Sequence, residues 1–193
     1  MFKADEIRES LAGAWQVMKG DPDGLDRMDN SVEGFWRSFG AFFLILPAYC
    51  LVVASIRLGV VESGQICEPL TAAQSVLILL SWTVDWFCFP LVMAFAVRPL
   101  GLAAGYVPFI VVRNWAAVIM MALFTIPTLL HLAGIVPSEF KALMHVMLVG
   151  VSGYFAFRIC RLALDAEAGL AIAIVVSDFM LSMLIASLFP APY

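Results

Sequence analysis

Five apolar runs dominate this sequence, and each is long enough to cross a lipid bilayer. They occupy residues 38–56, 74–97, 115–135, 143–164 and 169–189. About 20 apolar residues in a helix span the roughly 30 Å hydrocarbon core of a membrane. Only 13% of the 193 residues are charged, against about 25% in an average soluble domain, too few to cover a water-exposed surface. The pattern predicts an all-α, polytopic membrane protein, built as a bundle of five transmembrane helices.

The beginning of the third run is open to two interpretations. Residues 102–136 are almost entirely apolar, and as one helix they would measure about 52 Å. Prolines and glycines interrupt the first part, namely Pro99, Gly101, Gly105 and Pro108. Arg113, close to Trp115, is typical of an anchor at the membrane interface. We therefore predict a short interfacial or re-entrant segment over 100–112 and a span over 115–135. The alternative is one long, tilted helix with Arg113 at membrane depth.

The distribution of lysine and arginine predicts the orientation. With five spans, nine of the eleven bases fall on the side of the N-terminus: Lys3, Arg8, Lys19, Arg27, Arg37, Arg98, Arg113, Arg158 and Arg161. Arg57 and Lys141 fall on the other side. Because cytoplasmic loops carry the excess of positive charge, we predict a cytoplasmic N-terminus and an external C-terminus. The connection over 57–71, with Glu62, Cys67 and Glu68, is then external.

Residues 1–35 precede the first span and form a separate cytoplasmic piece. They hold eight acids against four bases, which accounts for the net charge of −4 of the whole chain. Apolar residues recur there at helical spacing, at Ile7, Leu11, Ala14, Trp15 and Met18, which predicts an amphipathic helix followed by an acidic turn. Asn30 is predicted to cap a second helix, with Glu33 completing a capping box. The transmembrane bundle then occupies residues 36–193.

Asp85 and Asp178 are the sharpest functional candidates. Each lies near the middle of an apolar span, where an ionised carboxylate costs several kcal/mol and therefore faces the bundle interior or water. The functional interpretations are a proton or cation site or a pair of catalytic acids. The structural interpretation is a packing residue that hydrogen-bonds a neighbouring hydroxyl, and the available ones are Ser81, Thr83, Ser177 and Ser182. Arg113 is either a headgroup anchor or their counter-charge, joining the second, third and fifth spans.

The histidines and cysteines are secondary candidates. His131 ends the third span and His145 begins the fourth, so a short loop could bring them together, but no carboxylate stands at ligand spacing. We predict polar packing for both and no metal site. The four cysteines, Cys50, Cys67, Cys88 and Cys160, show no metal-binding spacing and are predicted to be small core residues.

Two tempting motifs fail on their chemistry. Gly150, Ser152 and Gly153 match the GxSG of rhomboid proteases, but His145 lies about 10.5 Å away along the same helix and cannot act as the base. We interpret these as small residues that permit close helix approach. The acidic segment 21–29 lacks the ligand spacing of a calcium-binding EF-hand loop and is predicted to be a solvated turn.

The topology resembles that of the Yip1-type integral membrane proteins. The resemblance covers residues 36–189: five spans behind an N-terminal cytoplasmic segment, short connections, an external C-terminus, and prolines and aromatic residues in comparable places. It implies a five-helix bundle that is not an enzyme and works through membrane partners. No functional residues carry over, because the resemblance includes no motif.

These observations favour a non-enzymatic protein of a bacterial inner membrane that crosses it several times and acts by association, as an assembly factor or accessory subunit of a membrane complex. The expected partners are the lipid bilayer and other integral membrane proteins or a second copy; no basic run indicates nucleic acid. The alternative is a small ion- or proton-coupled transporter or channel that uses Asp85 and Asp178. No catalytic residue and no cofactor is predicted, and no motif argues for a pigment, haem or quinone.

Overall fold

The computed structural model describes residues 4–62, 64, 66 and 69–189. Within these ranges the chain forms helices and no strand. The α-helices are α1 (Ala4–Lys19), α2 (Val32–Ser38), α3 (Ala41–Glu62), α4 (Ala72–Ala96), α5 (Tyr106–Leu132), α6 (Ser138–Ala163) and α7 (Ala168–Leu188). Helices α3 to α7 of the described chain are long and apolar enough to cross a membrane. The prediction of an all-α bundle with five apolar spans is confirmed at this level.

Some of the residues discussed above are not among those that the structure describes. Cys67 and Glu68 of the second connection, Lys3, and residues 190–193 of the C-terminal segment lie outside the described ranges. The helix ends also differ from the predicted spans. Helix α3 continues to Glu62 instead of ending near residue 56. Helix α4 begins at Ala72 because Thr71 and Gln74 form a reciprocal capping box there.

The predicted break in the third run is wrong. Helix α5 is continuous from Tyr106 to Leu132, so it includes half of the segment that was predicted to be interfacial. Pro108 is tolerated because it falls in the first turn, where its missing N–H removes no helical hydrogen bond. Gly101, with φ +73°, turns the chain before a short 3-10 turn at Ala103–Gly105. Arg113 therefore lies two turns inside a membrane-spanning helix.

The capping box predicted at Asn30 is also wrong, by one position. Ser31 is the N-cap of α2, and its Oγ accepts the backbone N–H of Gly34 at 3.0 Å. The position that would complete the box is thus a glycine, which has no side chain to reach back. Asn30 instead donates its Nδ2 to the carbonyl of Leu25 at 2.8 Å.

Helix α5 forms the centre of the bundle. In its most apolar 18-residue window 39% of the residues are buried, against 22% or less for each of the other four spans. Its first half holds the fully buried side chains of Ile110, Val112 and Asn114. Helices α1, α2, α3 and α6 all pack against it. The remaining apolar faces of the bundle are exposed to the surroundings, as expected of helices that contact lipid.

The N-terminal residues pack onto one end of this bundle. We call α1, the 3-10 turn Pro22–Arg27 and α2 the cap, and the opposite end of the bundle, where α3 and α5 end, the distal end. The buried face of α1, including Val17 and Met18, lies against α5 and α6. Arg158 of α6 donates to the carbonyl of Lys19 at 2.9 Å, which satisfies one of the unpaired carbonyls at the end of α1.

Ion pairs fix the two cap helices to each other. Arg37 of α2 pairs with Glu6 of α1 at 3.2 Å and with Asp29. Hydrogen bonds from Ser31 and the nearby guanidinium of Arg37 hold the pKa of Asp29 below its usual value. Asp29 is therefore ionised at neutral pH, and its pairing with Arg37 persists there.

Candidate functional site

Four polar side chains at membrane depth meet between α4, α5 and α7. We call Asp85, Arg113, Asp178 and Ser182 the charge cluster. Asp85 lies midway along α4 and Asp178 midway along α7. Ser182 lies four residues after Asp178 on α7, hence on the same face of that helix. Helix α7 is not next to α4 or α5 in the sequence. Its packing against α4 brings the four residues together.

Arg113 pairs with Asp178. Its Nη2 lies 3.1 Å from Oδ1 and 3.4 Å from Oδ2 of that carboxylate. The guanidinium also stacks on the ring of Phe89, with Cζ 4.7 Å from the ring centroid, a favourable cation–π geometry. The prediction of a headgroup anchor does not hold, because the side chain turns inward to a carboxylate.

Asp85 is held by a hydroxyl group. The Oγ of Ser182 donates to Oδ1 of Asp85 at 2.7 Å, so one of the four hydroxyls suggested by the sequence is the partner. Thr83 and Ser177 instead donate to carbonyls of their own helices, those of Leu79 and Ala173. The three predicted residues are thus linked in series: Asp178 pairs with Arg113, and Ser182 of the same helix hydrogen-bonds Asp85.

The charge balance of the cluster has a chemical consequence. The cluster contains two carboxyl groups and one guanidinium, which pairs with Asp178, while Asp85 accepts a hydrogen bond from Ser182. The cluster therefore carries either one net negative charge or one additional proton. A net charge at membrane depth is costly. Asp85 is therefore the carboxyl group of the cluster that lacks a basic partner, whereas Asp178 is paired with Arg113.

A second buried polar contact lies beside the cluster, and sequence reasoning missed it. Asn114 is fully buried, and its Nδ2 donates at 2.9 Å to Oγ of Ser38. That hydroxyl in turn donates to the carbonyl of Phe35 at 2.7 Å. The bond joins α5 to the end of α2 and so fixes the cap to the central helix. The sequence feature that indicates such a contact is an asparagine inside an apolar run.

The distal end contains further polar side chains, namely Ser55, Glu62, His131, Lys141 and His145. Lys141 is 8% exposed, and its ammonium group donates to the carbonyl and to Oγ of Ser55 at 3.2 and 3.1 Å. His131 contacts Glu62 at 3.1 Å. Nδ1 of His145 contacts the carbonyl of Lys141 at 2.9 Å, and the ring of His145 stacks on Phe124.

The two histidines therefore contact different groups: His131 contacts Glu62, and His145 contacts a carbonyl of its own helix. Among residues 4–62, 64, 66 and 69–189 no group of three histidine, cysteine, aspartate or glutamate side chains could hold a metal ion. Of the cysteines in these ranges, Cys160 is buried as predicted, Cys88 is half-buried, and Cys50 is exposed. Cys67 lies outside them. The prediction of core packing therefore fails for Cys50, which faces outward from α3.

The GxSG motif faces outward from the chain. Oγ of Ser152 donates to the carbonyl of Val149 at 2.8 Å. A Cβ placed on Gly150 or on Gly153 would meet no atom within 4 Å. Within residues 4–62, 64, 66 and 69–189, no other helix packs on that face of α6, so these small residues are not used there for a close approach.

Comparisons with protein-family models, with curated proteins and with solved structures found no match to this chain.

Proposed function

We propose that this protein is a non-enzymatic membrane protein that acts by association, as an assembly factor or accessory subunit of a larger complex. The observation that carries the proposal is the exposure of α6. Only 11% of its most apolar window is buried, against 39% for α5. The outward face of α6 includes Val146, Met147 and Tyr154, each more than half exposed, and the open positions at Gly150 and Gly153.

Such a face suits another transmembrane helix. Without a hydrophobic driving force inside the bilayer, helices associate through close packing, which small residues allow. The polar groups of the charge cluster are turned toward one another inside the chain, which leaves an apolar outer surface for contact. Polar contacts thus hold α4, α5 and α7 together, whereas most of α6 is exposed.

The proposal includes a location and an orientation. The excess of lysine and arginine on the side of the cap supports a cytoplasmic cap and an external distal end. The membrane we propose is a bacterial inner membrane. A role through membrane partners is also what the Yip1-type resemblance implies, and that resemblance is one of topology alone.

Site-specific photocrosslinking in native membranes tests association. A photoreactive residue at Met147, on the outward face of α6, is expected to give one discrete protein adduct. The matched control is Ile159, on the same helix but 4% exposed, which is expected to give only contacts within the chain. Gly150→Leu should remove the adduct, because a side chain then fills the space that a partner helix would occupy. Adducts to lipid alone, with a monomeric chain in several mild detergents, would rule out the proposal.

The charge balance of the cluster favours a second candidate function, a small proton- or cation-coupled transporter or channel. Asp85 supplies the carboxyl that can bind and release the ion. In proteoliposomes, Asp85→Asn is expected to abolish uptake under this alternative, since the amide cannot take up a proton or balance a cation. Ser182→Ala is the matched control, because it removes the hydrogen bond and leaves the carboxyl. Fluxes equal to those of empty vesicles, with or without Asp85→Asn and Asp178→Asn, would dispose of the alternative.

A further inference from the structure

The imidazole ring of His131 lies between two hydrogen-bond acceptors at the distal end. Its Nδ1 is 3.0 Å from the carbonyl oxygen of Val136, and its Nε2 is 3.1 Å from Oε2 of Glu62. The His131 side chain is only 8% exposed, whereas that of Glu62 is 41% exposed. Glu62 is the last residue of α3, and Val136 lies in the turn between α5 and α6. The two contacts therefore join the end of α3 to that turn.

The two contacts together require one more proton than a neutral ring and a carboxylate possess. A carbonyl oxygen has no proton to donate, so Nδ1 must carry the N–H that is given to Val136. In a neutral imidazole Nε2 then presents a lone pair. A lone pair and a carboxylate oxygen repel each other, because both are acceptors. The contact exists only with a proton between them, either on Nε2 as an imidazolium or on Glu62 as a carboxylic acid.

We propose that His131 and Glu62 form a proton-dependent latch between α3 and the α5–α6 turn. The latch is closed while the shared proton is bound. When that proton passes to water through the exposed carboxyl of Glu62, the neutral ring has a single N–H for two acceptors, so one of the two contacts is lost and the latch opens. Histidine is the side chain that changes charge between about pH 5 and pH 8, so the latch responds to the pH of the compartment that the distal end faces.

Other charged and titratable groups of the described residues also lie at this end. On α6, the ammonium group of Lys141 donates to Ser55 of α3, and Glu139 lies in the first turn. Arg57 lies on α3, one turn before its end. His145 lies one turn beyond Lys141, and its ring contacts a carbonyl of its own helix. None of these groups takes the place of Glu62 at Nε2 of His131.

His145 provides an internal control. The chain contains two histidines, and Nε2 of His145 is buried without a hydrogen-bond partner in the structure. With only one acceptor to satisfy, the ring of His145 needs a single N–H in this geometry. The two rings are therefore expected to differ in the number of protons they carry at the same pH.

Nuclear magnetic resonance of the full chain, labelled with ¹⁵N-histidine in detergent micelles, tests the proton count. At about pH 5.5, the lower part of the range in which histidine titrates, His131 should show both ring nitrogens protonated, while His145 shows one. His145→Gln assigns the two signals. In Glu62→Gln the amide can donate to Nε2 of a neutral ring, so His131 should carry a proton on Nδ1 alone across the range. A neutral His131 at low pH in the unaltered chain, with a protonated Glu62 excluded by infrared spectroscopy, overturns the proposal.

Distance measurement between spin labels tests the opening itself. Labels at Leu58 on α3 and Ile135 in the turn, both exposed, are introduced with the native cysteines replaced by alanine. Between about pH 5.5 and pH 8 the population with the longer distance should rise about tenfold, as expected for loss of a charge-assisted hydrogen bond. Glu62→Gln should remain closed and His131→Phe open at both values. An unchanged distance distribution in the unaltered pair, or the same pH response in Glu62→Gln, overturns the latch.

Discussion

Replacing Arg113 by methionine is expected to lower the free energy of unfolding by about 3 kcal/mol, because it leaves a carboxylate without its partner at membrane depth. Arg113 donates to both oxygens of Asp178, at 3.1 and 3.4 Å, and stacks on Phe89. Methionine keeps the length and most of the apolar volume of the side chain, so the loss reports on charge. Reversible denaturation of the full chain in mixed micelles, followed by circular dichroism, measures the change.

Two further variants make this result specific. Arg113→Met combined with Asp178→Leu should recover most of the lost stability, since an apolar pair leaves no buried charge unpaired. Arg98→Met removes an arginine that is exposed beyond the end of α4 and should change the stability by less than about 0.5 kcal/mol. If the double variant is no more stable than Arg113→Met, the ion pair is not what stabilises this part of the bundle.

Gly13→Ala is expected to destabilise the docking of α1 by about 1–3 kcal/mol. A Cβ at this position would lie 2.6 Å from the carbonyl oxygen of Gly24 and 2.8 Å from Cγ of Met28. The first of these atoms belongs to the backbone of the turn that follows α1, so it can yield only if the turn moves. Hydrogen exchange of the α1 amides, with thermal unfolding of the same sample, measures how far the cap has loosened.

Gly150→Ala is the matched control for that substitution. Both glycines lie inside helices, and a Cβ at position 150 would meet nothing within 4 Å. Alanine should there be neutral or stabilise α6 by about 0.5–1 kcal/mol, because it restricts the unfolded chain. Opposite signs for the two substitutions are the expected outcome. Equal losses at both positions, which helix propensity cannot produce because it favours alanine, would mean that the contact with Gly24 does not govern the effect.

The five spans could be predicted from the sequence because the membrane imposes a length of about 20 apolar residues on each. The helix ends could not, because they depend on local hydrogen bonds. The capping box of Thr71 and Gln74 extends α4, and the one-residue shift to Ser31 relocates the start of α2. Pro108 misled the prediction for α5, since a proline in the first turn of a helix removes no helical hydrogen bond.

The members of the charge cluster could be predicted, but their pairing could not. Asp85 and Asp178 stood out because an acid at membrane depth needs a partner. The partner of each aspartate depends on how each helix is rotated about its axis. It also depends on the packing of α7 against α4, and these two helices are far apart in the sequence. The contact of Asn114 with Ser38 and that of His131 with Glu62 depend on the same tertiary arrangement, so the residue types alone did not indicate them.

The docking of α1 onto α5 and α6 has a consequence for how the chain is made. The hydrogen bond from Arg158 to Lys19 joins residues separated by 139 positions, and at about 5–20 residues per second this separation corresponds to on the order of ten seconds of synthesis. Throughout that interval the apolar face of α1, with Ala14, Val17 and Met18, has left the ribosome and lacks the surface on which it will pack. A segment that is translated before all five spans thus reaches its final position only after the fourth of them, α6, has been made.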